Sequence, residues 1–395
     1  MYPTLYHALL DLFGWELAPL KLVNSFGFFV ALAFVAASAV LKREMRRLTA
    51  LGHFQGQKET ITVGEAPQWL DLASQGLMGF LLGWKVVYLF VHAGTLFQGA
   101  TTPQRFLFSG DGNVLWGIIG AILLMVWRYR EVQKERLPEP KTVEKEVPPW
   151  ELVGGITAAA AIGGIAGAKL FHLLENPDEL VAFFTAPSLN AFLGGLTIYG
   201  GLIVGGISVY LYARSKGLNF LRLADATAPG LLLAYGIGRM GCQISGDGDW
   251  GIANTAPKPG WLSWAPDWIW AYAYPNNVNK WGKMMDPVNS PWDAFPGYGT
   301  YLDPMVFPTP IYETTLSILG FALLWKLRTR WAQPGKIFAA YLMFNGVERF
   351  WIEKIRINNT FEFLGMTMTQ AELISVCMFL SGVALWVRAT RKQKV

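Results

Sequence analysis

The most constraining feature of this sequence is a series of apolar segments, each close to the roughly 20 residues with which an α-helix crosses a bilayer. Of the 395 residues, 52% are hydrophobic and 15% are charged, whereas an ordinary soluble domain carries about 25% charged residues. The segments therefore predict an all-α polytopic membrane protein with about nine transmembrane helices. The predicted spans are residues 24–41, 69–91, 114–127, 151–174, 194–213, a sixth that begins near 224, 311–327, 337–355 and 370–387.

The basic residues lie at alternate ends of these spans, which predicts the orientation of the chain. Cytoplasmic loops of membrane proteins are enriched in Lys and Arg, and the first basic cluster is residues 42–47. Placing this cluster in the cytoplasm puts most Lys and Arg on that side. The N-terminus is then outside and the C-terminus inside. The Trp- and Pro-rich segment 252–308 forms an external head between spans six and seven.

These patterns divide the chain into five parts. The parts are 1–47, an N-terminal interfacial segment and the first span; 48–150, a segment with two candidate spans and a charged linker; 151–251, spans four to six; 252–308, the head; and 309–395, spans seven to nine.

Composition also excludes several classes of function. The basic residues form short clusters between apolar runs, which is typical of membrane topology and not of nucleic-acid binding. The two cysteines, Cys242 and Cys377, indicate no disulfide framework. Together with four scattered histidines they make no metal-ligand pattern, so we predict no metal site and no cofactor.

The stretch that singles out a functional site is Gly238-Arg239-Met-Gly241, near the end of the sixth span. A glycine-rich turn with Asp247 and Asp249 follows it. Charge at this depth is costly, and charged residues there are usually functional. A guanidinium can grip a phosphate or a carboxylate through two hydrogen bonds. The alternative is a structural Arg–Asp pair that holds two helices together.

Further polar side chains from other helices are predicted at the same end of the membrane. Each has a simpler interpretation taken alone. A tyrosine at this depth is common in the aromatic belt, a glutamate in the first turn of a helix favours the helix dipole, and an arginine and glutamate four apart form an intrahelical pair. Their convergence from separate helices favours a binding site. These residues are His172, Tyr199, Glu313, Arg349 and Glu353.

Together these motifs resemble the bacterial prolipoprotein diacylglyceryl transferase family. The resemblance covers the first span and then about residue 151 to the C-terminus, whereas 48–150 has no counterpart in the usual seven-span form. The motifs are Gly-Ala-Lys-Leu-Phe at 167–171, Tyr-Gly-Gly-Leu at 199–202, Gly-Arg-Met-Gly at 238–241, Pro-Thr-Pro-Ile-Tyr-Glu at 308–313 and Asn-Gly-Val-Glu-Arg-Phe-Trp-Ile-Glu at 345–353.

The resemblance implies an enzyme, a transferase of the bacterial inner membrane whose active site and head face the periplasm. Its partners would be the bilayer, phosphatidylglycerol and a preprolipoprotein signal peptide. The diacylglyceryl group would pass from the lipid to the lipobox cysteine thiol, giving a thioether and releasing glycerol phosphate. No cofactor, metal or nucleic acid is implied, and we expect a monomer.

The resemblance also assigns roles to residues. Arg239 and Arg349 would clamp the phosphate, and Tyr199 and His172 complete the candidate catalytic set. The carboxylates of Glu313 and Glu353 would orient the arginines. The candidate substrate-binding residues are Phe26, Gly200, Gly201, Gly238, Gly241, Cys242, Asp247, Asp249, Gly251, Glu313 and Glu353.

Four positions depart from the family pattern. Tyr199 stands where the family usually has a histidine, and Cys242 where it often has an asparagine. Phe26 replaces a tyrosine, and His172 occupies a position that is often tyrosine. One hypothesis is that Tyr199 and His172 have exchanged residue types across one site, so that His172 handles the thiol proton. Cys242 is expected to be an apolar filler and not a covalent nucleophile.

Two other functions remain open from the sequence. A catalytically inactive relative would keep the fold and the lipid pocket, and the absence of the usual histidine favours it. A lipid-binding or transport protein would use the same basic pocket without chemistry. Transporters usually carry inverted repeats with polar groups near the midplane, and the sequence has neither feature.

Overall fold

The structure is a computed structural model that describes residues 1–92, 94, 109–185, 195, 197–358, 360–363 and 365–391. Most of the predicted loop at 92–112, the start of the predicted fifth span at 194 and the last residues of the basic tail lie outside this part. The described α-helices are α1 Leu5–Phe13, α2 Ser25–Ala50, α3 Trp69–Val91, α4 Val114–Glu135, α5 Val153–Glu175, α6 Pro177–Thr185, α7 Ile198–Ser215, α8 Phe220–Ser245, α9 Thr309–Leu327, α10 Lys336–Glu353 and α11 Gln370–Arg391.

Each predicted span coincides with one of these helices, although the ends differ. Within the described residues, four helical segments are long and apolar enough to cross a membrane, namely Ser25–Ala50, Trp69–Val91, Pro149–Glu175 and Gln370–Arg391. The protein is therefore mostly helical, and some of its helices are candidate membrane spans. Helices α8 and α10 carry charged side chains inside their apolar stretches.

The third predicted span is shorter than the helix that contains it. Apolar composition indicates which residues lie in the membrane, but not where the helix ends. The prediction ends it at residue 127, but helix α4 continues to Glu135. Its last two turns are charged. Arg128 contacts Glu131 at 2.7 Å one turn further along and Asp71 of α3 at 2.8 Å. These ion pairs favour helix where hydropathy alone ends the span.

Three short antiparallel sheets accompany the helices, and the prediction did not include them. They are β1 Gln57–Val63 with β2 Lys141–Val147, β3 Lys283–Met284 with β4 Thr300–Tyr301, and β5 Thr360–Phe363 with β6 Met366–Thr369. Residues 141–147, within the predicted charged linker, form the largely exposed strand β2. Lys58 of β1 pairs with Glu144 of β2 across the two strands at 3.3 Å.

The chain forms two compact units, which we describe separately. The first unit comprises residues 1–54, 152–160 and 208–395. Helix α8 packs against α2, α9 and α10, and α10 packs against α11. Ala228 and Leu232 of α8 meet Leu324 of α9 and Ile337 of α10 in a buried cluster. The beginning of α8 therefore lies near the end of α9 and the beginning of α10.

The head follows α8 and is tied to it. Tyr274 is fully buried, and its hydroxyl donates a hydrogen bond to Gln243 of α8 at 2.6 Å. Trp250 and Val306 pack around Tyr274. Two 3-10 helices, Gly260–Leu262 and Asp267–Ile269, and the β3–β4 pair belong to this segment. It lies between α8 and α9, at the position predicted for the head.

The second unit comprises residues 55–151 and 161–207, and small residues bring its helices together. A Cβ atom added to Gly79 of α3 or Gly120 of α4 would collide with the backbone carbonyl of the other. Gly167 of α5 and Gly200 of α7 have the same relationship. Such close backbone approach is typical of helices packed within membranes.

Candidate functional site

The site is built around the end of α8 and the glycine-rich turn that follows. The helix ends at Ser245, and Gly246 adopts a left-handed conformation with φ of 66°. Gly248 has φ of 101°, which a residue with a side chain adopts only with strain. These two glycines reverse the direction of the chain after α8. Asp249 therefore contacts Arg239, which lies ten residues earlier in this helix.

Glu313 is the centre of the cluster. Pro308 and Pro310 flank the start of α9, and their restricted backbone places Glu313 in the opening turns of this helix. Its carboxylate has no exposed surface. Tyr235 of α8 donates a hydrogen bond to Oε1 at 2.7 Å, and Arg239 Nε lies 3.2 Å from Oε2.

Two more arginines reach Glu313 from the end of α10. Nη1 of Arg349 lies 3.6 Å from Oε1 of Glu313, and Nη1 of Arg356 lies 3.8 Å from the same oxygen. Arg349 also pairs with Glu353 one turn later at 2.8 Å, and Asn358 donates to Glu353 at 2.5 Å. Three guanidinium groups therefore surround one buried carboxylate.

Asp249 forms ion pairs with two of these arginines, Arg239 and Arg356. Its Oδ2 contacts Nη1 of Arg239, and its Oδ1 accepts from Nη2 of Arg356 at 2.8 Å. Burial alone would raise the pKa of Asp249, but the two guanidinium groups outweigh it and hold the pKa at about 2. This carboxylate is consequently ionised at physiological pH. Of the two aspartates proposed from the sequence, Asp249 is the one that lies between arginines.

Asp247 has a different environment in the same turn. Its Oδ1 accepts a long hydrogen bond, 3.4 Å, from the backbone N–H of Asp249. Burial, followed by the negative charge of Asp249, raises the pKa of Asp247. Ligand atoms of Asp247, Asp249 and Cys242 lie within 4.8 Å of one another, a spacing that could hold a metal ion. However, Arg239 and Arg356 already neutralise Asp249, and their charges oppose a cation, so we retain the prediction of no metal.

The arginine cluster keeps donors that make no hydrogen bond within the described part of the chain. Among the described residues, Nη1 of Arg349 and Nη1 of Arg356 are buried and have no hydrogen-bond partner. Leaving a buried charged donor without an acceptor is costly. Next to Arg239, a Cβ added to Gly238 would meet no atom within 4 Å, so space is open at this point of α8. An anion with several oxygens would satisfy these donors.

Other candidate glycines position the backbone around this cluster. Gly241 packs against α2, where an added Cβ would lie 2.7 Å from Cβ of Phe29 and 3.5 Å from the ring of Phe26. Gly251 pairs its backbone with Arg356 in an isolated β-bridge. Its own Cα is so crowded that an added Cβ would lie 2.9 Å from Phe307. Gly251 therefore helps to set the backbone that carries Arg356.

His172 and Tyr199 belong to the second unit. Nε2 of His172 lies 2.8 Å from Glu179, and the Asn176 amide lies 3.3 Å from Nδ1. Both ring nitrogens therefore have partners in the chain. A Cβ added to Gly200 would collide with Gly167 and Phe171 of α5. Gly200, a candidate substrate-binding residue, therefore lies at a helix–helix contact in the structure.

Gly201 lies at the same crossing of α5 and α7. A Cβ added to Gly201 would lie 3.1 Å from the carbonyl oxygen of Gly164. The two neighbouring glycines of this motif thus permit helix packing in the structure.

Two members of the cluster were missed in the sequence. Arg356 was counted only as a charge outside the membrane, because it follows the end of the predicted span. Helical periodicity could not indicate it, because α10 ends at Glu353 and Arg356 lies beyond this end, in a β-bridge with Gly251. Tyr235 was not among the candidate site residues, although it lies four residues before Arg239. Its ring centroid lies 5.2 Å from the Arg239 guanidinium carbon.

The fold and the site define a class: a helical membrane protein with a buried cluster of arginines and carboxylates at one end of its helices. Comparison with known proteins makes this specific. A family model described as prolipoprotein diacylglyceryl transferase matches residues 114–388. This protein belongs to that family. The match begins earlier than residue 151, where the resemblance resumes after the first span, and thus includes α4.

Similar proteins carry the corresponding name. A phosphatidylglycerol–prolipoprotein diacylglyceryl transferase of Geobacillus kaustophilus is 30% identical over 286 residues, which cover 71% of this chain and 90% of that protein. A protein of the same name from Corynebacterium efficiens is 29% identical, covering 69% of this chain and 75% of that protein. A third, from Bifidobacterium adolescentis, is 28% identical over 60% of this chain and 68% of that protein. The chain is thus a transferase by family.

Proposed function

We propose that this protein transfers the diacylglyceryl group of phosphatidylglycerol to the lipobox cysteine of preprolipoproteins at the outer leaflet of the inner membrane. The observation that carries the proposal is the pair of buried arginine donors, Nη1 of Arg349 and Nη1 of Arg356, that make no hydrogen bond among the described residues, since Glu313 Oε1 lies 3.6 and 3.8 Å away from them. Three arginines with fixed partners and spare donors match the several oxygens of a phosphate. The names of the similar proteins support the same lipid and the same acceptor.

The carboxylates have a positioning role in this proposal. Glu313 contacts all three arginines, Asp249 contacts two and Glu353 contacts one. The set of three arginines and three carboxylates has no net charge before the lipid arrives. Arginines held by such partners are already oriented when charge develops on the leaving phosphate, so little reorganisation is needed during the reaction.

The reaction balances without a cofactor. The thiol sulfur attacks the carbon of the diacylglyceryl group that bears the phosphodiester oxygen. A C–S bond forms there, and the bond between this carbon and the oxygen breaks. The electron pair of the C–O bond leaves on the oxygen of glycerol phosphate. The thiol proton passes to a base or to the released phosphate, whose second pKa is about 6. The arginines stabilise the leaving group by neutralising its charge.

The group that takes the thiol proton is a separate part of the proposal. A cysteine thiol is only a modestly weak acid, with a pKa near 8.5 that nearby positive charge lowers. The arginine cluster alone would then favour thiolate. If a side chain is needed, His172 is the candidate, because neutral imidazole is a better base at neutral pH than Tyr199. His172 would first have to release Asn176 from Nδ1.

The membrane arrangement is also proposed, with nine spans, an external N-terminus and a cytoplasmic C-terminus. Val288 of the head is 86% exposed, and Ser215 at the end of α7 is exposed. Single-cysteine variants at these positions, with Cys242 and Cys377 replaced by alanine, would be treated in intact cells with an impermeant maleimide. Labelling of Val288→Cys but not Ser215→Cys supports this orientation. The reverse pattern would overturn it.

Transfer by arginine variants tests the function. Purified protein in phosphatidylglycerol micelles would be mixed with a lipobox peptide, and both the bound lipid and the peptide mass would be followed. We expect Arg239→Ala and Arg349→Ala to retain one phosphatidylglycerol fewer than the unchanged protein and to lose transfer. Arg214→Ala, an exposed arginine at the end of α7, serves as the matched control. Lipid retention without transfer in the unchanged protein would favour the inactive-relative alternative.

A further inference from the structure

A second polar cavity lies at the opposite end of the helices that carry the arginine cluster. Its volume is about 70 Å³, well above the roughly 10–15 Å³ that admits one water molecule. It is lined by the end of α2, the beginning of α8 and the segment that joins α9 to α10. All of these elements belong to the first unit. The charged residues that line it are Glu44, Arg47, Arg222, Asp225 and Arg328, with His53 beside them.

The distance along the helices separates this cavity from the arginine cluster. Arg222 and Arg239 are seventeen residues apart on α8, which corresponds to about 25 Å along the axis of an α-helix. The hydrocarbon core of a bilayer is about 30 Å thick. The two sites therefore belong to opposite ends of the bundle, and a ligand at one cannot contact the other.

Two arginines of the cavity have fixed positions because they share one buried carboxylate. Glu44 is only 3% exposed. Arg47 Nε lies 3.0 Å from it, and Arg328 Nε lies 2.9 Å from its Oε2. The guanidinium of Arg328 also stacks on Trp325, with its carbon 3.4 Å from the ring centroid. The two positive charges are thus held at the wall by a single negative charge.

The third arginine has unused hydrogen-bonding capacity. Among the described residues, the Arg222 side chain makes one hydrogen bond, from Nη1 to the Ala332 carbonyl at 3.2 Å. The nearby Asp225 does not pair with it, because its two oxygens accept from the backbone N–H groups of Gly335 at 2.6 Å and Phe338 at 2.8 Å. Most of the five guanidinium donors of Arg222 are therefore available.

Charge and field point to an anion. Three arginines face two carboxylates, which leaves one excess positive charge in the lining. Burial, followed by the charges of Arg222 and Arg47, lowers the pKa of His53 beside the cavity. A cationic ligand would be repelled by this charge, and a neutral acceptor would leave the excess positive charge uncompensated. A phosphate group presents several acceptor oxygens, which match the available donors of Arg222, and a negative charge, which matches the excess positive charge of the lining.

We propose that this cavity binds a phosphate group, held mainly by Arg222, at the end of the bundle opposite the arginine cluster. The phosphate has two possible sources, a phospholipid headgroup of the facing leaflet or free phosphate. The same donors serve either one. The proposal does not depend on the transfer reaction, since the two sites share no residue.

The test measures the thermal stability of the purified full-length protein in detergent. Inorganic phosphate is added at constant ionic strength against chloride, for the unchanged protein and three variants. Arg222→Gln removes the available donors, and Leu51→Glu adds a negative charge at an exposed position of the lining. Arg214→Gln removes an exposed arginine that does not line the cavity. All three leave the arginine cluster unchanged, so differences among them isolate the cavity.

A second measurement distinguishes the two sources. Native mass spectrometry counts the phospholipids that each protein retains after mild extraction. For free phosphate, we expect the apparent affinity to be about tenfold or more weaker in Arg222→Gln and Leu51→Glu than in Arg214→Gln. For a headgroup, we expect these two variants to retain one phospholipid fewer. Cavity variants that match Arg214→Gln in both measurements would overturn the proposal.

Discussion

Glu313 Oε2 lies 3.2 Å from Nε of Arg239, and the carboxylate that makes this contact has no exposed surface. Arg349 and Arg356 approach the other oxygen of the same carboxylate. Helices α8 and α9 and the end of α10 are therefore joined through one residue. This arrangement fixes where the positive charge of the cluster lies before any substrate binds.

The first prediction concerns this central carboxylate. In Glu313→Gln, three arginines would face only Asp249 and Glu353. Removing one partner from a buried ion pair costs about 3–5 kcal/mol. We expect a clearly lower unfolding temperature and a loss of transfer of about a hundredfold or more, measured on the same preparation. Thr315→Ala, an exposed change on the same helix, should leave both unchanged. A Glu313→Gln protein with ordinary stability and turnover would contradict the central role of Glu313.

The second prediction separates Asp249 from Asp247 by pH. The pKa of folded Asp249 is about 2, below its ordinary 3.8. Its charge therefore stabilises the fold at every pH above about 4, and this stabilisation is lost as the pH falls from about 4 towards 2. The pKa of Asp247 is raised, so its charge destabilises the fold at neutral pH.

Unfolding temperatures from pH 8 to pH 3 would test this difference. Asp249→Asn should be less stable than the unchanged protein above pH 4, with a gap that narrows at lower pH. Asp247→Asn should be equal or more stable at pH 7, and this advantage should disappear on acidification. The same sign of effect for both variants at pH 7 would count against this assignment.

The helical parts were predictable from the sequence because hydropathy alone marks segments that must be buried in lipid. The locations of Arg239, Glu313, Arg349 and Glu353 at one end followed from threading these segments. Arg356 was missed because it lies beyond the apolar stretch, where hydropathy gives no information. Its contact with Asp249 depends on a turn shaped by two left-handed glycines, and no helical periodicity extends into that turn.

The strand pair β1–β2 was missed for a different reason. Its strands are separated by more than seventy residues that include α3 and α4. No hairpin turn links them, so the local signal for a sheet is absent. The packing role of Gly200 was also hidden, because a paired glycine in a helix indicates close approach without saying what approaches. In the structure it is Gly167 and Phe171 of α5.

The third prediction concerns Cys242, which lies beside the cluster. Its sulfur is 3.4 Å from Oδ2 of Asp249 and 3.9 Å from Nη1 of Arg239. The proposed reaction uses the thiol of the peptide, so Cys242 supplies no bond to the lipid. We expect Cys242→Ala to keep transfer within about threefold of the unchanged protein. Loss of transfer, together with a diacylglyceryl mass on Cys242 in the unchanged protein, would show a covalent intermediate.

The fourth prediction tests the proton acceptor. If His172 takes the thiol proton, His172→Phe should slow transfer by about 10²–10⁴-fold at neutral pH. Glu179→Gln should have a smaller effect, because Glu179 only orients the ring through its 2.8 Å contact. Tyr199→Phe should retain most activity. Rates measured from pH 6 to pH 9 would show recovery of His172→Phe at high pH, where the thiol ionises without help. Unchanged activity in His172→Phe would remove His172 from the mechanism.

The most direct test of the account is transfer by the unchanged protein. Purified protein in phosphatidylglycerol micelles is given a lipobox peptide, and the peptide mass and the released glycerol phosphate are measured together. A peptide with serine in place of the lipobox cysteine is the control. We expect a mass gain equal to one diacylglyceryl group and an equal amount of glycerol phosphate, with neither product from the serine peptide. No mass gain, or equal glycerol phosphate release with the serine peptide, would contradict the account.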